Sequence, residues 1–170
     1  MILRAHILVI VVGTVAGCDS HATQHSHASE ASSASAQIDA VVAVHGGAGP
    51  WAVAGYRMGE FAIQQLGLER GSFDLDVTHF SPHEVQYACI ADGAAAATGA
   101  SVGKLNLTLA AASPAETRTR YRQKSTDRVI ELRLTNSFKS RYLNVPRDRL
   151  TSAGREVLSL RDQDIFERVP

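Results

Sequence analysis

Residues 89–106 read CIADGAAAATGASVGKLN, and this stretch decides the expected fold. Its four consecutive alanines favour a helix and leave no bulky side chain on any helical face. Such a helix can pack closely, and a sheet is its expected neighbour. Gly99 and Gly103 end the helix, because glycine readily takes the left-handed conformation of a helix C-cap. Apolar and polar residues then alternate from position 105 to 109, which predicts a strand.

The segments around this stretch show the same two kinds of pattern, one typical of a helix and one typical of a strand. Pro50 suits the first turn of a helix and Gly67 suits its end, so residues 50–66 are a predicted helix. Residues 73–80 and 129–134 alternate apolar and polar side chains and are predicted strands.

The rest of the chain completes one α+β domain. Residues 113–123 are polar and rich in arginine, which indicates a loop or a twisted edge. Residues 148–160 have apolar side chains at helical spacing. We expect a mixed sheet of four or five strands, packed by two main helices around residues 50–66 and 88–98. A C-terminal helix is expected to cover one edge of the sheet.

The composition limits the classes of function. The chain has 170 residues, enough for one domain rather than two. Its formal net charge is +0 at pH 7. A neutral chain gives no electrostatic argument for nucleic acid as a partner.

The N-terminus has the features of an export signal. Arg4 precedes an apolar run over residues 7–12, which is too short to span a bilayer. The small residues directly before Cys18 resemble a bacterial lipobox, in which the cysteine is lipidated after cleavage. We therefore predict a lipoprotein signal peptide over residues 1–18 and a membrane anchor at Cys18. Asp19 would favour the inner membrane if the cell is Gram-negative.

Residues 19–37 are rich in serine, alanine and histidine and contain almost no large apolar side chain. Such a segment cannot bury enough surface to offset its ordering entropy. It is therefore predicted to be a flexible tether between the membrane and a domain over residues 38–170. Its histidines, His21, His25 and His27, could bind a metal ion transiently, although a polar linker is the simpler interpretation.

The side chains best suited to chemistry are Cys89 and His45. A thiolate and an imidazole suit zinc or another divalent transition metal. Asp92 lies one helical turn after Cys89 and could bind the metal or orient a ligand. His79 and His83 could complete the shell. The alternative is that Cys89 is a small buried residue and His45 a hydrogen-bonded corner residue.

A second candidate site is the glycine-rich corner that precedes the helix over residues 50–66. Gly46 and Gly47 leave backbone N–H groups free at a helix N-terminus, which can bind a carboxylate or phosphate. Lys104 could supply the countercharge, and Asn106 is a further polar residue of this predicted ligand site. The alternative is a tight turn that simply requires glycine.

The chain resembles the FmdE family, named for formylmethanofuran dehydrogenase, from about residue 38 to its end. That family usually carries an HGHxCPG motif, but this chain reads HGGAGPW, with Gly47 and Gly49 where the family has its second His and its first Cys. The resemblance is carried by these residues: His45, Gly46, Pro50, Gly55, Tyr56, Arg57, Cys89, Asp92, Gly93, Thr98, Gly99, Gly103, Lys104 and Asn106.

The resemblance implies a link to one-carbon oxidoreduction with molybdenum or tungsten enzymes. The chain has no visible pterin, flavin or iron–sulfur motif, so we do not expect a stand-alone dehydrogenase. Three hypotheses remain open: an envelope-anchored accessory or metal-binding protein, a metal-free module for a small anion, and a structural lipoprotein with a degenerate site. The expected partners are the membrane and either an envelope oxidoreductase or a second copy of the chain.

Overall fold

The structure is a computed structural model that describes residues 22–170, with side chains from residue 33 onwards. The predicted signal peptide, Cys18, Asp19 and His21 lie outside the described residues, as do the side chains of His25 and His27. No helix in the described part of the chain is long and apolar enough to cross a membrane.

Six helices and five strands make up the described residues. The helices are α1 (Ala22–His45), α2 (Pro50–Leu66), α3 (Val85–Thr98), α4 (Asn136–Tyr142), α5 (Leu150–Leu158) and α6 (Asp162–Ile165). The strands are β1 (Leu75–Ser81), β2 (Leu107–Ala111), β3 (Arg118–Gln123), β4 (Val129–Leu134) and β5 (Phe166–Arg168).

The five strands form one mixed sheet in the order β2-β1-β3-β4-β5. Strands β1 and β2 run parallel, joined by α3, and the other neighbouring pairs are antiparallel. The α+β prediction is therefore confirmed, and the three predicted strands do share a sheet.

The two faces of the sheet differ in composition. One face packs against the helices through buried residues such as Val77, Tyr121 and Leu132. The opposite face is charged, and Glu131 pairs there with Arg118 and Arg120. The prediction of a loop or twisted edge over residues 113–123 was wrong for residues 118–123, because they form β3, which lies between β1 and β4. Its arginines are tolerated there since none of the described helices or strands covers that face.

Helices α2 and α3 cross so closely that side chains are excluded at the contact. A Cβ atom at Gly55 would lie 2.2 Å from the Ile90 carbonyl oxygen, and one at Gly93 would lie 1.9 Å from that of Ala52. Left-handed glycines end both helices, Gly67 with φ 70° and Gly99 with φ 71°. The predicted small-residue helix, α3, thus packs closely as expected, but its main neighbour is another helix and not the sheet.

Helix α1 is an addition to the predicted architecture. The structure is helical from Ala22, where the sequence predicts a flexible tether up to residue 37. Alanine favours helix, and Ile38 and Val41 at helical spacing bury one side of α1 in the core. Residues 38–44, an expected strand or lead into the first helix, form the end of α1.

The chain between α3 and β2 also differs from expectation. The alternation predicts a strand from Leu105, but this residue has a left-handed φ of 55° and its side chain is 89% exposed. Residues 102–104 form a short 3-10 turn that Leu105 closes. Strand β2 therefore begins only at Leu107.

Candidate functional site

A cavity of about 600 Å³ lies where α1 ends and α2 begins. Helix α3 contributes one wall, and the segment from α4 to the start of α5 contributes the facing wall. Apolar side chains cover more of its surface than polar groups do. Its lining includes His45, Gly46, Gly47, Ala48, Gly49, Trp51, Val85, Gln86, Cys89, Tyr142, Leu143, Val145, Arg147, Leu150 and Thr151.

His45, the last residue of α1, is held by a carboxylate of α3. Its Nδ1 donates to Asp92 Oδ2 over 2.7 Å. With Nδ1–H engaged in this way, the ring orientation is fixed and Nε2 remains the free nitrogen. Nε2 makes no hydrogen bond to any other described residue. Asp92, which the sequence analysis places one turn after Cys89 as a metal ligand or an orienting residue, therefore orients the His45 ring.

Cys89 lies one turn before Asp92 and lines the same cavity. Its thiol donates to the carbonyl oxygen of Gln86 over 3.0 Å. Burial, together with the nearby Asp92 carboxylate, raises the pKa of the Cys89 thiol to about 12. Cys89 is therefore a protonated, poorly nucleophilic thiol at neutral pH.

The glycine corner, residues 46–49, lines the cavity with backbone. Gly46 has a φ of 80°, which glycine adopts without strain, and it lets the chain turn from α1 towards α2. The N–H groups of Gly47, Ala48 and Gly49 donate to no described residue, and the positive end of the α2 dipole lies next to them. Arg147 adds a side-chain cation on the facing wall.

The full predicted metal shell is not assembled. His79 is completely buried: Nδ1 contacts the Thr119 hydroxyl at 2.8 Å and Nε2 the Tyr87 carbonyl oxygen at 3.1 Å. Burial lowers the pKa of His79 to about 4, so the ring is neutral. His83 is exposed on the turn before α3. Within residues 22–170, no group of three or more His, Cys, Asp and Glu side chains is arranged to hold a metal ion.

Lys104 and Asn106 lie at the other end of α3 from the glycine corner. Lys104 Nζ donates to the Gly99 carbonyl oxygen over 2.9 Å, at the helix C-terminus. The side-chain oxygen of Asn106 accepts from the Ser101 N–H over 3.0 Å, and the residue is buried. The prediction that these two residues join Gly46 and Gly47 in one ligand site was wrong, since α3 separates them.

Sequence reasoning missed the facing wall of the cavity, notably Gln86, Leu143 and Arg147. These residues match no local motif, and the position of Arg147 depends on how α5 docks. That docking is close, because a Cβ atom at Gly154 would lie 1.9 Å from the Ala48 carbonyl oxygen. The glycine in α5 was the one available signal of a close approach to the glycine corner.

The residues present fit a transition metal incompletely. Zinc sites in proteins use three or four protein ligands. Here His45 and Cys89 are the two residues with metal-binding side chains that line the cavity, while Asp92 is bound to His45. The fit is better for a ligand that uses the backbone donors and Arg147.

Comparison with known proteins identifies the family. The family described as "FmdE, Molybdenum formylmethanofuran dehydrogenase operon" matches residues 44–167, which is well over half of the chain. This range includes the glycine corner, the α2–α3 pair, the sheet up to the second residue of β5, and the facing wall of the cavity. A search of curated proteins found no significant match. The chain belongs to the FmdE family.

Proposed function

We propose that this protein is an envelope-anchored accessory component of a formylmethanofuran dehydrogenase-type system, and that its cavity binds a small organic anion. Family membership supports the link to that system. The observation that carries the ligand class is the run of N–H groups at residues 47–49, beside the N-terminus of α2, which donate to no residue in the described part of the chain. The lipidated Cys18 would hold the protein at the membrane.

The anionic group of the ligand would bind at the glycine corner. Backbone N–H groups and the dipole of a 17-residue helix both favour negative charge there. Arg147 lines the same cavity and would add a charge-assisted hydrogen bond. His45, fixed by Asp92, presents Nε2 to the bound group.

The remainder of the ligand would contact apolar side chains. Trp51, Leu143 and Leu150 line the cavity beside the polar groups. The Trp51 ring is fixed, since its Nε1 donates to the Tyr142 carbonyl oxygen over 2.9 Å. A cavity of about 600 Å³ suits a molecule larger than formate or phosphate alone.

Calorimetric titration of the full chain with benzoate, formate and inorganic phosphate tests this proposal. We expect benzoate to bind more tightly than formate, because it also fills the apolar part. Arg147→Gln should weaken benzoate binding about tenfold, as the loss of one charge-assisted hydrogen bond does. Arg149→Gln is the matched control, because Arg149 lies two residues away and outside this cavity. Equal binding by both variants, or no binding of any of the three anions, would contradict the proposal.

A second candidate is a divalent transition metal held by His45 and Cys89. The His45–Asp92 pair favours it, because a carboxylate commonly orients a metal-binding histidine through its other ring nitrogen. Solvent, substrate or a partner would supply the remaining ligands. Metal analysis should use the full chain with His21, His25 and His27 replaced by alanine, so that only the domain is measured.

The family motif supplies a direct comparison for this second candidate. A Cβ atom at Gly47 would meet nothing within 4 Å, and one at Gly49 would make an ordinary contact at 3.7 Å with Leu150. Gly47→His together with Gly49→Cys therefore fits sterically. If the natural chain lacks sufficient ligands, the double variant should retain close to one zinc ion per chain and the natural chain almost none. Equal zinc content in both would support the natural His45–Cys89 site instead.

A further inference from the structure

A smaller cavity, of about 260 Å³, lies on the face of the sheet that none of the described helices covers. It shares no lining residue with the cavity at the glycine corner. Its volume is too small for most drug-sized ligands, so it suits a small and hydrophilic one. Most of the lining side chains are polar or charged, namely Asp76, Thr78, Asn106, Thr108, Arg120 and Arg122.

The strand register arranges these side chains in two rows. In the first row, Thr78 of β1 is paired with Thr108 of β2 on one side and with Arg120 of β3 on the other. Side chains of paired residues point to the same face of a sheet, and neighbouring strands are about 4.8 Å apart. Two hydroxyl groups and a guanidinium group therefore lie side by side on the open face.

The second row lies two residues away along β1. Asp76 is paired with Arg122, and the Val77 N–H bond to the Asn106 carbonyl oxygen places Asn106 on the other side of Asp76. The Arg122 guanidinium donates to Asp76 Oδ2 over 2.8 Å and holds this carboxylate in place. Asp76 Oδ1 accepts no hydrogen bond from a described residue, and Lys124 Nζ lies 4.0 Å from it. A free carboxylate oxygen thus lies among donors.

The side-chain amide of Asn106 is the group that the fold leaves unexplained. The residue is only 3% exposed, and its Oδ1 accepts from the Ser101 N–H over 3.0 Å. This bond fixes the orientation of the amide, so the other atom is the Nδ2 donor. Nδ2 is buried and has no hydrogen-bond partner among the described residues. Buried donors in native proteins nearly always have a partner, so this one points to a ligand in the cavity.

The first row adds further donors that are held but not used. Arg120 pairs through Nε with Glu131, and its guanidinium carbon lies 5.4 Å from the centre of the Phe80 ring. These contacts fix the side chain, while its two terminal nitrogens donate to no residue in the described part of the chain. The hydroxyl groups of Thr78 and Thr108 likewise bond to no other described residue. The donors are therefore available and largely preorganised.

We propose that this cavity binds inorganic phosphate in its singly protonated form. The guanidinium groups of Arg120 and Arg122 outnumber the single carboxylate of Asp76, so the local charge favours an anion. The amide of Asn106 and the two threonine hydroxyls donate to the remaining phosphate oxygens. Asp76 Oδ1 accepts the hydrogen bond from the protonated phosphate oxygen.

The carboxylate of Asp76 makes the site selective among oxyanions. Sulfate carries no proton at neutral pH, so one of its oxygen atoms would face the Asp76 carboxylate without a hydrogen between them. A phosphate monoester such as methyl phosphate is also without a proton when fully ionised. An unpaired contact between two negatively charged oxygens is unfavourable. The site therefore distinguishes free phosphate both from sulfate and from phosphate esters.

Calorimetric titration of the full chain with phosphate, sulfate and methyl phosphate at pH 8 tests the proposal. We expect phosphate to bind about tenfold more tightly than either other anion. Arg120→Gln should weaken phosphate binding about tenfold, as the loss of a charge-assisted hydrogen bond does. Arg133→Gln is the matched control, because Arg133 is also 45% exposed and also pairs through Nε with a glutamate, but lies outside this cavity. This variant should bind phosphate like the wild-type chain.

Asp76→Asn separates selectivity from charge. An asparagine amide can donate to an unprotonated oxygen, so this variant should bind sulfate more tightly and lose the preference for phosphate. Circular dichroism melting should show that the variants are folded. A wild-type chain that does not bind phosphate, or that binds phosphate and sulfate equally, would overturn the proposal. Equal phosphate affinity of folded Arg120→Gln and Arg133→Gln would also overturn it.

Discussion

The two ends of α3 show how differently the same helix is used. At its C-terminal end, the last carbonyl groups are bound internally: Lys104 Nζ donates to Gly99, and its ammonium also lies 5.2 Å from the centre of the Phe73 ring. At its N-terminal half, Cys89 and Asp92 face cavities instead. The free N–H groups of the glycine corner and His45 Nε2 lie at this end.

This difference teaches where ligand chemistry can occur in the fold. A cation at a helix C-terminus stabilises the carbonyl groups there and is then no longer available to a ligand. Backbone donors at a helix N-terminus that bind nothing internally remain available. Both ends depend on the α2–α3 crossing between them, and the following variants test each part.

The largest effect is expected at the crossing itself. In Gly93→Ala the new Cβ atom would lie 1.9 Å from the Ala52 carbonyl oxygen, so the two helix backbones must separate. We expect the free energy of unfolding to fall by about 3 kcal/mol or more, measured by urea denaturation. Gly47→Ala, where nothing lies within 4 Å of the new atom, should change it by less than about 0.5 kcal/mol. Equal stability of the two variants would disprove the close crossing.

The second-largest effect is expected for His79, whose buried imidazole contacts the first turn of α3. His79 contacts the Tyr87 carbonyl oxygen, and burial lowers the His79 pKa from 6.5 to about 4. The unfolded chain therefore binds a proton more readily than the folded chain between these values. The contribution of His79 to the free energy of unfolding should be fully present above pH 6.5. It should be lost as the pH falls to about 4, which lowers the free energy of unfolding by on the order of 3 kcal/mol.

Urea denaturation between pH 4 and pH 7 measures this dependence. His79→Gln should lose that part of the slope, while His83→Gln, on the exposed turn, should keep it. If the two variants show the same slope, His79 is not the titrating group.

A smaller effect on stability is expected at the C-terminal end of α3, where Lys104 binds. Lys104→Met keeps the length of the side chain but removes the hydrogen bond to Gly99 and the favourable charge at the helix C-terminus. The free energy of unfolding should fall by about 1–2 kcal/mol. Benzoate binding should be unchanged, since Lys104 does not line the cavity. Weaker binding in this variant would mean that the two ends are not independent.

The smallest effect is expected at Cys89. With a pKa of about 12, its thiol should react with iodoacetamide at pH 8 far more slowly than an ordinary exposed cysteine. Cys89→Ala should cost roughly 1 kcal/mol, as a small buried truncation does. If EDTA lowers the melting temperature of the wild-type chain and speeds alkylation of Cys89, the result would favour Cys89 as a metal ligand over Cys89 as a buried packing residue.

Local signals predicted much of the fold. Pro50 and Gly67 gave the bounds of α2 as the structure has them, because one residue fits the first helical turn and the other the left-handed cap. Alternation gave β4 with the correct bounds. Strand β3 was missed, because its arginines indicate exposure and only the uncovered face of the sheet accommodates them. His45, Cys89 and Asp92 were predicted as one candidate site, whereas Arg147 was not predicted.

The sequence by itself determined α2, α3, α5 and most of the strands, since proline, glycine and the periodicity of apolar residues act on the nearest neighbours in the chain. It did not predict α1. It also pointed to His45, Cys89 and Asp92 as a group. Only the tertiary structure decided that His79 is buried and that Lys104 binds the carbonyl groups at the C-terminal end of α3. Both outcomes depend on contacts between elements distant in sequence: β1 on β3, and the turn at Gly71 on Gly99. Side-chain chemistry is local, but the availability of a side chain to a ligand is set by what packs against it.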